Sequence, residues 1–195
     1  GTVAQFAPVP RHALAAVGYS LARPPLHRAV NHQAHSIRLA LAELRARGYR
    51  RIGFVIRRHE DERTERNWLA AVLLAQHDAV KTGMSFPLQL TENVERAELL
   101  AWVRRERPEV VVTTEEEVWP LVRRLKVPGS GRVGFAHLHL TPDLAGCSGI
   151  DQNNERVGEA AVDLVVEQLH GNAWGIPAIP KTVLIEGRWV AGAEK

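Results

Sequence analysis

Apolar residues along this chain follow two alternating patterns: short unbroken runs, and longer stretches where they recur every three or four positions. The first suits a strand buried on both faces, the second a helix with one packed face. Residues 36–47 put Ile37, Ala40, Leu41 and Leu44 on one side and Arg38, Glu43, Arg45 and Arg47 on the other, which predicts an amphipathic helix. Gly48 stands where a helix end takes a left-handed residue, behind arginines that complement the dipole. Residues 52–56 then read as a buried strand.

The same reading continues down the chain. A helix is predicted over 64–80 (Trp68, Leu69, Val72 and Ala75 inward) and a strand over 86–90. A helix capped at Thr91-Glu92-Asn93 follows, with Leu99, Leu100, Trp102 and Val103 inward and Pro108 beyond its end. Strands are predicted over 110–113 and 132–136, around a helix over 115–126, and 137–149 reads as irregular. Asn153 or Asn154 caps a long helix (Val157, Ala160, Ala161, Leu164, Val165) closed by Gly171, and 182–185 is the last strand. Ahead of all this, residues 1–30 are proline-rich with a strand candidate at 14–19, and 30–35 reads as a link.

Strands alternating with helices predict an α/β doubly wound parallel sheet covered on both faces, with right-handed crossovers. Ligands of such sheets bind at the carboxyl ends of the strands. That directs attention to residues 57–63, Thr91, 114–116 and 137–139. The length of 195 residues suits one large domain or two small lobes, and 45% hydrophobic residues suffice for a core. A net charge of +3, with arginine pairs interleaved among glutamates, predicts solvated helix faces rather than a nucleic-acid surface. A single cysteine, Cys147, excludes an internal disulfide. No apolar run is long enough to span a membrane and no signal pattern opens the chain, so a soluble protein is expected.

Candidate chemistry is sparse. Gly129-Ser130-Gly131-Arg132-Val133-Gly134 matches G-x-G-x-x-G but precedes a strand, whereas a dinucleotide fingerprint follows one and opens a helix. His137 with His139, and His32 with His35, are pairs, and a metal site needs three or four converging ligands. The carboxylates at 60–62 and 115–117 open helices, where the dipole alone favours them. There is no G-x-S-x-G and no Walker loop. Neither an enzyme, a metal nor a cofactor is therefore expected.

The run Ala40 to Val55, ALAELRARGYRRIGFV, resembles the junction in LacI/GalR (lactose-repressor) transcription regulators where a helix ending in leucine meets Gly-Tyr or Gly-His, basic residues and an Ile-rich strand. Gly134-Phe135 resembles the family's Gly-Tyr-Asp strand end. Ser148-Gly149-Ile150-Asp151-Gln152 with Gly158 resembles its Thr-Thr-Ile-x-Gln…Gly segment, and 183–192 its closing strand. The resemblance runs from about Leu14 to the end. It implies a fold like that of type I periplasmic binding proteins: two doubly wound lobes joined by three crossovers, with an effector cleft between. Mapped on, residues 1–30 are a remnant of the N-terminal lobe, whose remainder is missing, and 31–150 form the C-terminal lobe. Residues 151–178 return to the N-terminal lobe, and 179–195 are the final strand and tail of the C-terminal lobe.

The function implied is sensing of a small polar effector, in a cytoplasmic homodimer that reads a DNA operator through a headpiece absent from this chain. The alternative on the same fold is a periplasmic solute-binding protein. Matched to the family's effector contacts are Arg57, Arg63, Asn67, Thr114, Glu115, Ala136, His137 and Gln152. The cleft arginine falls on Asn67 and the sugar-binding aspartate on Ala136, which weakens the case for an ordinary sugar. Thr114, Glu115 and His137 are expected to share one cleft wall.

Overall fold

The computed structural model describes residues 11–79, 82–127 and 131–193. Residues 1–10, Val80 at the end of the second predicted helix, and Gly129-Ser130 of the glycine run lie outside the described residues. In chain order the elements are β1 (Ala15–Val17), β2 (His27–Asn31), α1 (Gln33–Ala46), β3 (Ile52–Arg57), α2 (Arg58–Arg63), α3 (Asn67–Ala79), β4 (Leu88–Thr91), α4 (Arg96–Glu106) and β5 (Val110–Thr113). They continue with α5 (Val118–Val122), β6 (Lys126–Val127), β7 (Gly131–Arg132), β8 (Gly134–His137), β9 (Ser148–Asp151), α6 (Asn154–His170), β10 (Thr182–Ile185) and β11 (Arg188–Val190).

The larger sheet has six strands in the order β11-β9-β8-β5-β3-β4, parallel except for the β11–β9 pair. Side chains of β3 alternate between its two faces. Ile52, Phe54 and Ile56 pack with Ile37, Leu41 and Leu44 of α1 and with Trp68 and Val72 of α3. Val55 packs on the other side with Leu99, Trp102 and Val103 of α4 and Val118 and Val122 of α5. Gly53 has no room for a Cβ, which would lie 2.6 Å from Trp102 Cη2, so this face closes only with glycine there. Helices cover both faces, and the sheet is doubly wound as expected.

A smaller sheet, β1-β2-β10, is parallel throughout and is covered by α6 through Val157, Ala161 and Leu164 against Ala29. Strand β2 falls partly within the predicted link, because its five residues include only two fully buried apolar ones, Ala29 and Val30. The strand at 182–185, assigned to the larger unit from sequence, instead pairs with β2; only β11 closes the six-stranded sheet. Both have short, half-buried patterns that periodicity cannot assign to a sheet. The chain therefore passes between the sheets three times, after β2, β9 and β10. These passages are tied together: Asn31 Nδ2 donates to the Gln152 carbonyl at 2.8 Å, Asn153 Nδ2 to that of Glu186 at 2.8 Å, and the His32 amide to that of Ile185 at 2.8 Å.

Helix boundaries differ from expectation for local reasons. The helix predicted over 64–80 begins only at Asn67, as α3; Glu65 and Arg66, at φ 56° and 60°, separate it from α2, a short helix the periodicity does not predict. The break is held by Asp61, whose buried carboxylate accepts the Leu69 amide at 3.0 Å and so caps α3 from the preceding helix. The helix predicted over 115–126 shortens to α5, because Thr113 Oγ1 accepts the Glu115 amide at 3.0 Å and holds 114–117 as a turn.

Candidate functional site

A cleft of about 520 Å³ opens where the carboxyl ends of β3, β5 and β9 face the ends of β1 and β2. The strands are in register there, Arg57 pairing with Thr91 and Thr113 with His137, so their following residues emerge at one level. From the larger unit come Arg57, Arg63, Thr114, Glu115 and Gln152, five of the eight positions matched from sequence. Gly18, Tyr19 and Asn31 line it from the smaller one.

Glu115 is the most constrained polar group. It is 5% exposed, its Oε2 lies 2.6 Å from Arg57 Nη2, and its Oε1 accepts the Thr114 hydroxyl at 3.0 Å. Burial pushes its pKa above the usual carboxylate range; Arg57 and the Thr114 hydroxyl pull the other way, and neighbouring Glu117 and Glu60 push it further up. Arg57 also pairs with Glu117, while its buried Nε has no hydrogen-bond partner among the described residues. Arg63 lies 3.4 Å from Glu60. The cleft thus sets four carboxylates, Glu60, Glu115, Glu116 and Glu117, against the two guanidinium groups of Arg57 and Arg63.

Asn67, Ala136 and His137 do not line the cleft. Asn67 donates its Nδ2 to the Thr64 carbonyl at 2.7 Å, which directs it into its own turn rather than the cleft. Ala136 packs in the core beside α1 and α3. His137 is 1% exposed, its Nδ1 2.6 Å from the His139 carbonyl. The expected shared wall therefore holds for Thr114 and Glu115 but not for His137. Pairing of β8 with β5 runs one residue past the expected strand end, with the Leu138 amide still bonded to the Thr113 carbonyl at 2.8 Å. The side chain that faces the cleft is accordingly that of His139.

Sequence reasoning also missed Asn31 and Asn154. Asn31 Nδ2 donates to Asn154 Oδ1 at 3.1 Å, and Asn154 Nδ2 lies 3.1 Å from His139 Nε2. This relay joins the two sheets at the cleft, and donation from Asn154 leaves His139 protonated on Nδ1. The only signal for it was a polar residue at each strand or helix end.

Burial holds the pKa of both His137 and His139 below the ordinary value. Both are neutral in the folded chain, so the unfolded chain takes up protons first as pH falls past about 6.5. Stability is therefore expected to decline between pH 7.5 and 6, read as a falling urea midpoint, and His137→Gln should flatten that slope. A slope unchanged by this substitution would assign the pH response elsewhere.

Among the described residues, no group of three or more His, Cys, Asp or Glu side chains is placed to hold a metal ion, and no helix is long and apolar enough to cross a membrane. The glycine run leads into β7 and β8 rather than a helix; within it, Gly134 makes room for Tyr49, whose Oη would lie 2.8 Å from a Cβ. The cleft offers hydrogen-bond donors and acceptors without an activated nucleophile, an arrangement suited to binding.

No family model matches this sequence, and no curated protein matches it. Among solved structures, a LacI transcriptional regulator from Lactobacillus brevis superposes with a TM-score of 0.65 at 14% identity, covering 90% of this chain and 68% of that one. A regulatory protein of the LacI family from Chloroflexus aggregans does so at 0.64 and 17% identity, covering 93% and 68%. A periplasmic binding protein/LacI transcriptional regulator from Alkaliphilus metalliredigens, complexed with D-xylulofuranose, gives 0.61 at 12% identity, covering 86% and 65%. The chain spans about two thirds of the length of these structures, and it has the fold of LacI-type, periplasmic-binding-protein-like domains.

Proposed function

We propose that this chain is the effector-sensing part of a LacI-type transcription regulator. It holds a small polar ligand between its two sheets, and an operator is read through a DNA-binding headpiece outside this sequence. In this reading β1, β2, α6 and β10 belong to the N-terminal lobe and residues from α1 through β9, with β11, to the C-terminal lobe; the protein works as a cytoplasmic homodimer. The carrying observation is the cleft itself, lined from both sheets at the carboxyl ends of the strands and spanned by the Asn31–Asn154–His139 relay. A ligand touching both walls favours the closed arrangement over the open one by its difference in affinity, which is how binding is reported at a distance. The three passages, already cross-bonded, are where the two units would pivot.

The excess of carboxylates over guanidinium groups narrows the ligand class. Arg57 is already held by Glu115 and Glu117, and Arg63 lies beside Glu60. A sugar phosphate or sugar acid would meet net negative charge, whereas a neutral polyol or an amino sugar would find acceptors for its hydroxyl or ammonium hydrogens. In a thermal-shift series on the whole chain, neutral and amino sugars are expected to raise the unfolding midpoint. At one hundred times the dissociation constant the gain is about 2.7 kcal/mol, or roughly 5–10 °C for a chain of this size. Stabilisation by sugar phosphates alone would contradict the charge argument, and no stabilisation by any of the three would contradict effector sensing in this cleft.

A further inference from the structure

We propose a second binding site, for an aromatic ring carrying phosphate or carboxylate, at the opposite end of the six-stranded sheet from the cleft. A cavity of about 640 Å³ lies there, reached from the amino ends of β5, β8 and β9 at Val110, Gly134 and Ser148. Aromatic side chains wall it. Trp119 of α5 lies against Phe135 with ring centroids 5.0 Å apart, and Tyr49 and Trp189 complete the lining. Among the described residues the buried indole Nε1 of Trp189 has no hydrogen-bond partner.

The charge here is the reverse of that in the cleft. Arg123, Arg124 and Arg132 line the cavity and are exposed; among the described residues none of them has an ion-pair partner and no Asp or Glu shares the lining. Arg47, the other arginine of the lining, is already placed: it pairs with Glu43 and lies 5.0 Å over the Trp189 ring. Guanidinium groups present paired donors that match the oxygens of phosphate or carboxylate, and aromatic walls favour offset stacking with a flat ring. Arginines on a solvated face would need no such concavity; an apolar aromatic ligand alone would gain nothing from three unmatched cations. The two features together select a ligand with both parts, and the volume falls within the range of small-molecule sites.

Calorimetric titration of the whole chain with phenyl phosphate tests this. Saturable binding is expected, weakened about tenfold or more when either half of the probe is supplied alone, as inorganic phosphate or phenol. The double substitution Arg123→Gln and Arg132→Gln should weaken phenyl phosphate by about tenfold or more while leaving the thermal midpoint unchanged, since both side chains are exposed. Arg45→Gln with Arg104→Gln, which removes two exposed arginines elsewhere, should leave binding as it was. Absence of saturable binding, equal binding of inorganic phosphate, or equal loss in the two double variants would each overturn the assignment. None of these results bears on the cleft.

Discussion

Gly149→Ala is expected to lower the unfolding free energy by about 3 kcal/mol, the upper end of what overpacking costs. A Cβ at this position would sit 2.1 Å from the His137 carbonyl oxygen, 2.9 Å from its nitrogen and 3.0 Å from its carbonyl carbon. These are backbone atoms, so no side chain can turn aside to make room. Relief requires β8 and β9 to separate at the His137–Gly149 pair, which lies at the C-terminal end of β8. Separation propagates in two directions. Outward, β11 pairs only with β9, matching Val190 to Gly149, so the edge of the sheet loosens. Toward the cleft, Gln152 Nε2 loses its 2.7 Å bond to the Leu138 carbonyl. Urea midpoints should therefore fall sharply for Gly149→Ala. The contrasting case is Gly158→Ala within α6, where a Cβ meets nothing within 4 Å; alanine there should be neutral or stabilising by about 0.5–1 kcal/mol. Similar midpoints for the two variants would show that β8 and β9 can part at no cost.

That contrast marks what was legible in the sequence. Repeating periods of two kinds are a property of local spacing, so the buried strands 52–56 and 110–113 and the long final helix could be read directly. Gly48 as a helix stop is local as well, and it is left-handed at φ 91°. Gly149, by contrast, looks like any glycine in a strand; its need for a missing Cβ comes from β8, a dozen residues earlier. The cap on α3 shows the same limit, since Asp61 precedes the Leu69 amide by eight residues across a break that no period reveals. At the cleft, residues that directly follow strands, Arg57, Thr114 and Glu115, were found by the rule that ligands gather at strand ends. The same rule picks out 137–139, but within it His137 rather than His139 was matched to the cleft, because a shift of residues along a strand end decides which side chain is buried, and that depends on pairing with β5. Asn31 and Asn154 lie 123 residues apart and had no sequence signature of contact.

Arg57→Ala is expected to cost about 3 kcal/mol at pH 7, because it removes the partner of a carboxylate that is only 5% exposed. Glu115 would then sit buried beside Glu117 and near Glu60 with only the Thr114 hydroxyl to receive it. The second substitution, Glu115→Gln, removes the stranded charge while keeping the side-chain volume, so Arg57→Ala with Glu115→Gln should recover most of the loss. The pH dependence gives the same test by another route. Burial already raises the folded pKa of Glu115 above its unfolded value of about 4.3, and loss of Arg57 raises it further. A carboxyl group with a raised folded pKa contributes stability that is fully present below the unfolded value and is lost as pH rises through the folded one. The deficit of Arg57→Ala relative to the native chain should therefore shrink as pH is lowered from 7 toward 4.5, where Glu115 is protonated in the variant. Denaturant unfolding across that range reads it directly. A deficit that stays constant with pH, in a double variant no more stable than the single one, would mean that Arg57 acts through the packing of its aliphatic stem. The charge pair would then be incidental to the cleft, and the preference for neutral or cationic ligands would rest on Glu60, Glu116 and Glu117 alone.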